Sequence, residues 1–136
     1  MFGFHAILAL AGRAAHLEAV RRAHGTGDMT SSQLSTRAAA KLNEVEAEMH
    51  AIGFWQESPL RPDQLEFSGA FGLDKMAFSQ WLQFVFIPRV REAIATNQFP
   101  TSSHVGTQAV REFDTEPRAT HLAALLSEFD ALFSGR

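Results

Sequence analysis

One apolar segment of the chain contains the polar side chains best suited to chemistry. Between residues 81 and 87 only Gln83 carries an amide or a charge, and Arg89 follows directly after Pro88. A proline inside a helix removes one backbone donor, so the carbonyl four residues earlier loses its usual hydrogen bond. Gln83 and Arg89 could help to satisfy this kink or lie at the surface of the bundle, or they could line a ligand pocket with Asp74. The residues leave both interpretations open, and the structural one is the simpler.

Four arginines could bind the phosphates of RNA. Arg61 stands in a loop, Arg89 and Arg91 follow Pro88, and Arg111 belongs to a short helical segment. Nucleic-acid-binding domains normally present a basic face. This chain has 12 basic and 15 acidic residues and a formal net charge of −3. We therefore expect these arginines to be ordinary solvated charges and expect no RNA contact.

Metal sites and nucleophilic sites have recognisable spacings, which this sequence lacks. It has no Cys, which excludes disulfides, Cys-ligated zinc and thiol nucleophiles. Glu46 and His50 are four residues apart, whereas the di-iron sites of helical bundles need a Glu-x-x-His pair. No His-Glu-x-x-His motif, EF-hand loop, Gly-rich phosphate loop or Gly-x-Ser-x-Gly motif occurs. The sequence predicts no metal, cofactor or catalytic residue, and it favours a binding protein over an enzyme.

Hydrophobic periodicity predicts helices along most of the chain. The first helix is expected from about Ser32 to Ile52, with Gly53 as its C-cap. Residues 57–73 show no such period and contain two prolines and two glycines, although residues 62–65 could form a short turn of helix. Because a loop of this length is unusual in a small domain, we expect apolar side chains to pin it against the helices. Those side chains are Leu65, Phe67, Phe71 and Leu73.

The second helix has apolar residues on nearly all sides, which is typical of a central, buried helix. We expect it to begin near Asp74 as its N-cap, to place Trp81 in the core and to bend at Pro88. A short helix capped by Ser102 or Ser103 and a strongly apolar last helix follow. No segment alternates with the period of a strand. The predicted fold class is all-α, an irregular bundle of four main helices with a long pinned loop between helices one and two.

Residues 1–28 are expected to form an extension outside the core. Apolar residues recur every three or four positions between 7 and 20, which predicts a short amphipathic helix, and a Gly-rich break follows. The apolar start is far shorter than the roughly 20 residues of a membrane span, and no basic residue precedes it. We therefore expect residues 29–136 to be a single domain of a cytoplasmic protein without a membrane segment.

Two segments resemble the YqcC-like family. They are 71–76, FGLDKM, and 81–89, WLQFVFIPR, and the resemblance covers Met29 to Phe133. It implies a small bacterial helical bundle of uncharacterised function. The family is associated, in naming and genome layout, with a tRNA pseudouridine synthase. The resemblance brings no catalytic Asp with it, so it implies a place in that pathway and not the synthase reaction itself.

These observations predict a helical binding or accessory module whose partner is an RNA-modification enzyme. The loop and the surface at Pro88 combine apolar side chains with arginines, as interfaces do. The candidate contact residues are Arg61, Leu65, Phe67, Phe71, Asp74, Gln83 and Arg89. The alternatives are a small-molecule-binding protein or enzyme with a pocket near Pro88, and a weak RNA binder. An exposed apolar patch would favour the accessory module, whereas a deep pocket with convergent polar groups would favour the small-molecule site.

A chain that begins at Met29 should unfold at nearly the same temperature as the full chain. The apolar stripes of the core all lie after that residue, and the expected helix at 7–20 has only a narrow apolar face. Thermal and denaturant unfolding of the two chains checks this. A loss of more than about 2 kcal/mol in the free energy of unfolding would show that residues 1–28 are packed into the domain.

Overall fold

The computed structural model describes residues 30–134, which form four main helices and no strand. Helix α1 is Ser31–Ala51. Helix α2 has three consecutive parts, the α-helical Phe78–Trp81, the π-helical Leu82–Phe86 and the α-helical Ile87–Thr96; helix α3 is Val105–Glu112 and helix α4 is Thr120–Ala131. The all-α class and the bundle of four main helices are confirmed. The extension predicted for residues 1–28 lies outside the described residues.

A capping box starts α1. The Gln33 N–H donates to the Thr30 hydroxyl oxygen at 3.1 Å, and the Thr30 N–H donates to Gln33 Oε1 at 2.9 Å. The apolar stripe of the helix is buried at Leu34, Ala38, Leu42, Val45 and Met49. After the helix, Gly53 has a φ of +77°, a conformation that glycine adopts without strain. The expected helix is confirmed to within one residue at each end.

The residues before α2 differ from the expectation. The helix begins at Phe78 and not near Asp74. The Asp74 carboxylate accepts hydrogen bonds from the N–H and the hydroxyl of Ser68, which lower the pKa of the Asp74 carboxyl. Asp74 therefore closes a turn of the loop and does not cap α2. The N-cap residue is Ala77, whose N–H donates to Gln80 Oε1 at 2.8 Å.

Pro88 changes the hydrogen bonding of α2 but does not end the helix. The turn before it is π-helical, and the Ile87 N–H donates to the carbonyl of Leu82, five residues earlier. The helix then continues to Thr96. The wider turn shifts the hydrogen-bond pattern by one residue, just before the position that has no N–H to donate. The disturbance expected at Pro88 thus takes the form of a π-helical turn.

A carboxylate of α4 caps the start of α3. Asp130 Oδ1 accepts the Val105 N–H at 3.0 Å and the Ser103 hydroxyl at 2.7 Å, and Oδ2 accepts the Gly106 N–H at 2.7 Å. These bonds satisfy N–H groups that begin the helix, in place of the serine cap expected from the sequence. The two helices meet so closely that a Cβ on Gly106 would lie 2.5 Å from the Ser127 Cα. Only glycine fits at this crossing.

Aromatic rings form a continuous line of contacts through the core. Successive ring centroids are 5.1–6.1 Å apart. In order of contact the rings belong to Phe54, Phe113, Phe78, Trp81, Phe86, Phe129, Phe133 and Phe99. The sequence has 12 Phe and no Tyr, which suits this core because a buried phenol would need a hydrogen-bond partner. The core position expected for Trp81 is confirmed, since its side chain is fully buried.

Polar contacts fix α1 against α4. Lys41 Nζ lies 2.6 Å from Glu128 Oε1, and hydrogen bonds to this carboxylate and to that of Glu44 raise the Lys41 pKa. Arg118, in the 3-10 turn before α4, donates to the Ile52 carbonyl at 3.2 Å. The middle of α1 therefore faces the end of α4, and the end of α1 faces the beginning of α4. The two helices are antiparallel.

Replacing Trp81 tests the aromatic core. Trp81→Ala should lower the free energy of unfolding by about 3–5 kcal/mol, because it removes the largest ring from a fully packed site. Trp81→Phe should cost less, since it keeps a ring and removes an indole N–H that has no acceptor among the described residues. Asn43→Ala, at an exposed position of α1, should cost under about 0.5 kcal/mol. Denaturant unfolding measures all three, and an unchanged stability of Trp81→Ala would contradict the core role.

Candidate functional site

Gln83 is buried, and both ends of its amide bind one residue of the segment that follows α1. Its Oε1 accepts the Gln56 N–H at 2.9 Å, and its Nε2 donates to the Gln56 carbonyl at 2.7 Å. The side chain thus satisfies a donor and an acceptor of a backbone that has no secondary-structure partner. The expectations that Gln83 lies at the surface or serves the kink at Pro88 are wrong. Its role is to attach the segment after α1 to the π-helical turn of α2.

A neighbouring glutamine extends this attachment. Gln80 Nε2 donates to Gln56 Oε1 at 3.0 Å, and Gln56 Nε2 donates to the Ser58 carbonyl at 2.9 Å. An amide suits such a position because it offers a donor and an acceptor without a charge to bury. The beginning of α2 therefore fixes the backbone around residues 56–58.

A third glutamine braces the middle of the loop. The side chain of Gln64 is buried; its Oε1 accepts the Arg61 N–H at 3.0 Å, and its Nε2 donates to the Lys75 carbonyl at 3.2 Å. It belongs to the 3-10 turn Pro62–Leu65, at the place where the sequence predicts a short helical turn. These bonds join two parts of the loop that are about ten residues apart. The loop is therefore a compact, internally bonded element.

The four apolar side chains expected to pin the loop fall into two pairs. Phe67 and Phe71 are partly buried against the core. Leu65 is 59% exposed and Leu73 is 44% exposed, so the expectation that these leucines hold the loop is wrong. The buried Leu60 and the glutamine amide bonds take that role. Two large apolar side chains consequently face solvent on a fixed backbone.

An open cavity of about 510 Å³ lies beside one of these leucines. Its apolar lining includes Leu73 of the loop, Met76 before α2 and Phe113 after α3. Glu112 and Glu116 add two carboxylates to the wall. The cavity lies at the beginning of α2, away from the Pro88 turn where the sequence places a pocket. We call the loop surface of Leu65 and Leu73, together with this cavity, the loop face.

Arg61 and Arg91 of the expected basic patch are paired with carboxylates. Arg61 Nε lies 3.1 Å from Asp63 Oδ1, and Arg91 pairs with Glu46 of α1. Arg89 lies partly buried on α2, beyond the π-helical turn. Exposed ion pairs contribute little to stability, so these pairs chiefly offset positive charge that phosphates would otherwise meet. Of the arginines proposed for partner contact, Arg61 lies on the loop that carries Leu65.

Asp130 has a structural role, the capping of α3, that the sequence pattern did not indicate. Burial raises the pKa of its carboxyl, whereas the hydrogen bonds from Ser103, Val105 and Gly106 favour the ionised form. The sequence shows only an Asp beside the apolar stripe of the last helix. It does not show that the N–H groups of a second helix would lie next to this Asp.

Residues 30–134 contain no group of three or more His, Asp or Glu side chains that could hold a metal ion. In the same part of the chain, no helix combines the length and the apolar character needed to cross a membrane. The chemistry of the described surface is therefore that of hydrogen-bonding amides, paired charges and exposed leucines.

Replacing Gln83 tests the attachment of the loop. Gln83→Leu keeps most of the volume but leaves the Gln56 N–H and carbonyl without their partner, which should cost about 1–3 kcal/mol. Gln98→Leu, at an exposed position after α2, is the matched control and should cost under about 0.5 kcal/mol. Urea unfolding measures both, and limited proteolysis should show faster cleavage near residues 56–60 in Gln83→Leu only. Equal stability of the two variants would mean that the amide pair does not hold the loop.

Comparison with known proteins identifies the family. A family model described as tRNA pseudouridine synthase C matches residues 37–132. An uncharacterized protein of Haemophilus influenzae is 28% identical over 90 residues, which are 62% of this chain and 84% of that protein. The uncharacterized protein YqcC of Escherichia coli is 28% identical over 100 residues, which are 72% of this chain and 92% of that protein.

A solved structure supports the same assignment at the level of the fold. The solution NMR structure of protein YqcC from Escherichia coli superimposes with a TM-score of 0.67 at 26% identity, covering 75% of this chain and 89% of that chain. The resemblance carried by segments 71–76 and 81–89 is thereby confirmed. The chain belongs to the YqcC-like family.

Proposed function

We propose that this protein is a cytoplasmic accessory module that binds an RNA-modification enzyme through the loop face. The observation that carries the proposal is the exposure of Leu65 and Leu73 on a loop whose backbone is fixed from within. A fixed backbone presents apolar side chains without a large entropy cost on binding. Large apolar side chains at the centre of an interface supply much of the binding energy.

The cavity extends the loop face in a way that suits a protein partner. Leu73 belongs both to the exposed loop surface and to the cavity wall, where polar groups make up more of the accessible surface than apolar ones. The carboxylates of Glu112 and Glu116 stand in the same wall, and Glu116 is paired with Arg118. A partner side chain inserted there would lie beside the Glu112 carboxylate, which favours a partner segment that carries Lys or Arg next to its apolar residue. Arg61 adds a positive group on the loop side.

The partner class rests on the description of the family model, which names a tRNA pseudouridine synthase. A role beside such an enzyme agrees with the chemistry of the described residues better than catalysis does. Asp130 is the half-buried carboxyl of the bundle, and its oxygens are taken by the beginning of α3. Asp74 is exposed and bonded to Ser68. Neither of these two carboxyls lines the cavity; the carboxyls that do are those of Glu112, which accepts a hydrogen bond from Gln108, and Glu116, which pairs with Arg118.

A small-molecule site is the second candidate, and one observation favours it. The cavity volume of about 510 Å³ lies within the range of roughly 300–1,000 Å³ that is usual for ligand sites. It opens to solvent beside exposed leucines, so it would enclose only part of a small ligand. An adjoining protein surface would close it.

Direct binding to a purified tRNA pseudouridine synthase from the same genome tests the proposal. Calorimetric titration of the full chain should give a measurable Kd. Leu65→Ser with Leu73→Ser should weaken binding by about tenfold or more, because it removes the apolar centre of the face. Arg61→Glu should weaken it without unfolding the protein, since a charge reversal at an exposed site costs little stability. Arg89→Glu tests whether the contact surface continues from the loop face past the π-helical turn to the residue after Pro88.

Two controls make the result decisive. Gln98→Ser, an exposed change outside the loop face, should leave the Kd unchanged, and circular dichroism should show that every variant is folded. Titration with tRNA alone measures the RNA-binding alternative. No binding to the synthase, or equal binding by the leucine variant, would contradict the proposal. Unchanged binding by Arg89→Glu would remove Arg89 from the contact surface, and loss of the fold would show that Arg89 serves the helix.

A further inference from the structure

A second open cavity, of about 320 Å³, lies between α3 and α4. We call it the α3–α4 groove, and it is lined by Val110, Phe113, Asp114, Ala119, Thr120, Ala123, Ala124 and Ser127. The side chain of Val110 is 57% exposed on one wall, and alanines of α4 form the opposite wall. A concave apolar surface of this kind is a site for an apolar side chain from another segment.

We propose that the α3–α4 groove binds residues 7–20 of the same chain. This segment carries apolar residues at the spacing of one helical face. Its apolar stripe consists of Ile7, Leu10, Ala14, Leu17 and Val20. A narrow stripe of medium-sized side chains suits a groove whose floor is formed by alanines, because helices with small residues at the contact approach closely.

The connecting chain is long enough to reach the groove. Nine residues separate 7–20 from Thr30, and a chain of that length spans up to about 30 Å. Helices α1 and α4 are antiparallel, with Lys41 beside Glu128. Ser127, at one end of the groove, therefore lies roughly 16 Å along the bundle from Thr30 at 1.5 Å per helical residue. The linker spans this distance without being fully extended.

Charge favours the same occupant. Residues 1–28 contain three arginines and two acidic residues, whereas residues 30–134 contain eight basic and thirteen acidic residues. Asp114 stands in the wall of the groove, next to the acidic residues that line the loop-face cavity. Attraction between the arginine-bearing segment and this side of the bundle supports docking. Tethering adds to it, because a linked segment has an effective concentration in the millimolar range.

The proposal agrees with a small effect of residues 1–28 on stability. The groove is a surface feature, since Val110 and Ala124 in its lining are exposed and neither belongs to the core. Docking of a short helix covers Val110 and the alanines but completes no part of the core. This inference is independent of the partner proposed for the loop face, which uses different lining residues except for Phe113.

Disulfide trapping in the full chain tests the docking, because the chain has no cysteine of its own. Leu17→Cys combined with Ala124→Cys should form an intramolecular disulfide at least about tenfold faster than Leu17→Cys combined with Ala95→Cys. Ala95 is the matched control, an exposed alanine on α2. Val110→Cys in place of Ala124→Cys should behave as the groove pair does. Mass spectrometry and non-reducing electrophoresis measure the rates.

The disulfide rates distinguish docking of residues 7–20 from binding of a second copy of the protein. Adding Leu10→Asp to the groove pair should remove its rate advantage, because the apolar stripe is lost. Equal rates for the groove pairs and the control pair would overturn the proposal. A disulfide that joins two chains would overturn it in favour of a second copy of the protein. Circular dichroism of each variant shows that the bundle is folded before the rates are compared.

Discussion

Burial of α2 is the constraint on which the rest of the structure depends. The first half of this helix, residues 78–87, is buried or half-buried on every side, so other elements must cover it in all directions. Trp81 stacks on Phe86, and Phe86 packs edge-to-face against Phe129 of α4. These rings connect the loop side of the helix to α4. The long loop, the short α3 and the long helices α1 and α4 cover α2. Phe54 of the loop, Phe113 directly after α3 and Phe129 of α4 belong to the line of aromatic rings that runs through the core.

Covering a central helix with a loop creates a second requirement, because the backbone of the loop must find hydrogen bonds inside the protein. Uncharged amides meet it. Gln83 and Gln64 are buried, and each bonds backbone groups of other segments, while Gln80 joins the side chain of Gln56. At the opposite end the carboxylate of Asp130 does the same for the beginning of α3. Burying a polar group without a hydrogen bond costs free energy, and these amides and this carboxylate are hydrogen-bonded.

The exposure of the loop leucines follows from the way in which the loop is held. Because amide bonds and buried rings hold the loop, Leu65 and Leu73 are not needed for its packing and remain in solvent. An exposed leucine on a mobile segment would say little, whereas two on a braced loop beside a cavity form a surface that a partner can recognise. In the proposal, the class of partner rests on the description of the family model, and the contact surface rests on the exposed leucines.

The sequence by itself determined the fold class, α1 and the glycine that follows it, the core position of Trp81 and the presence of a turn at residues 62–65. Periodicity and caps are local properties, so they can be read from neighbouring residues. Tertiary structure alone decided the roles of Asp74, Gln83, Asp130 and the loop leucines. An Asp can cap a helix or close a turn, and a Gln in an apolar run can bond whatever lies next to it, so the choice depends on which distant segment arrives. Leucine is a residue type that usually packs in a core, but Leu60 and the phenylalanines fill the space beneath the loop, so Leu65 and Leu73 remain exposed.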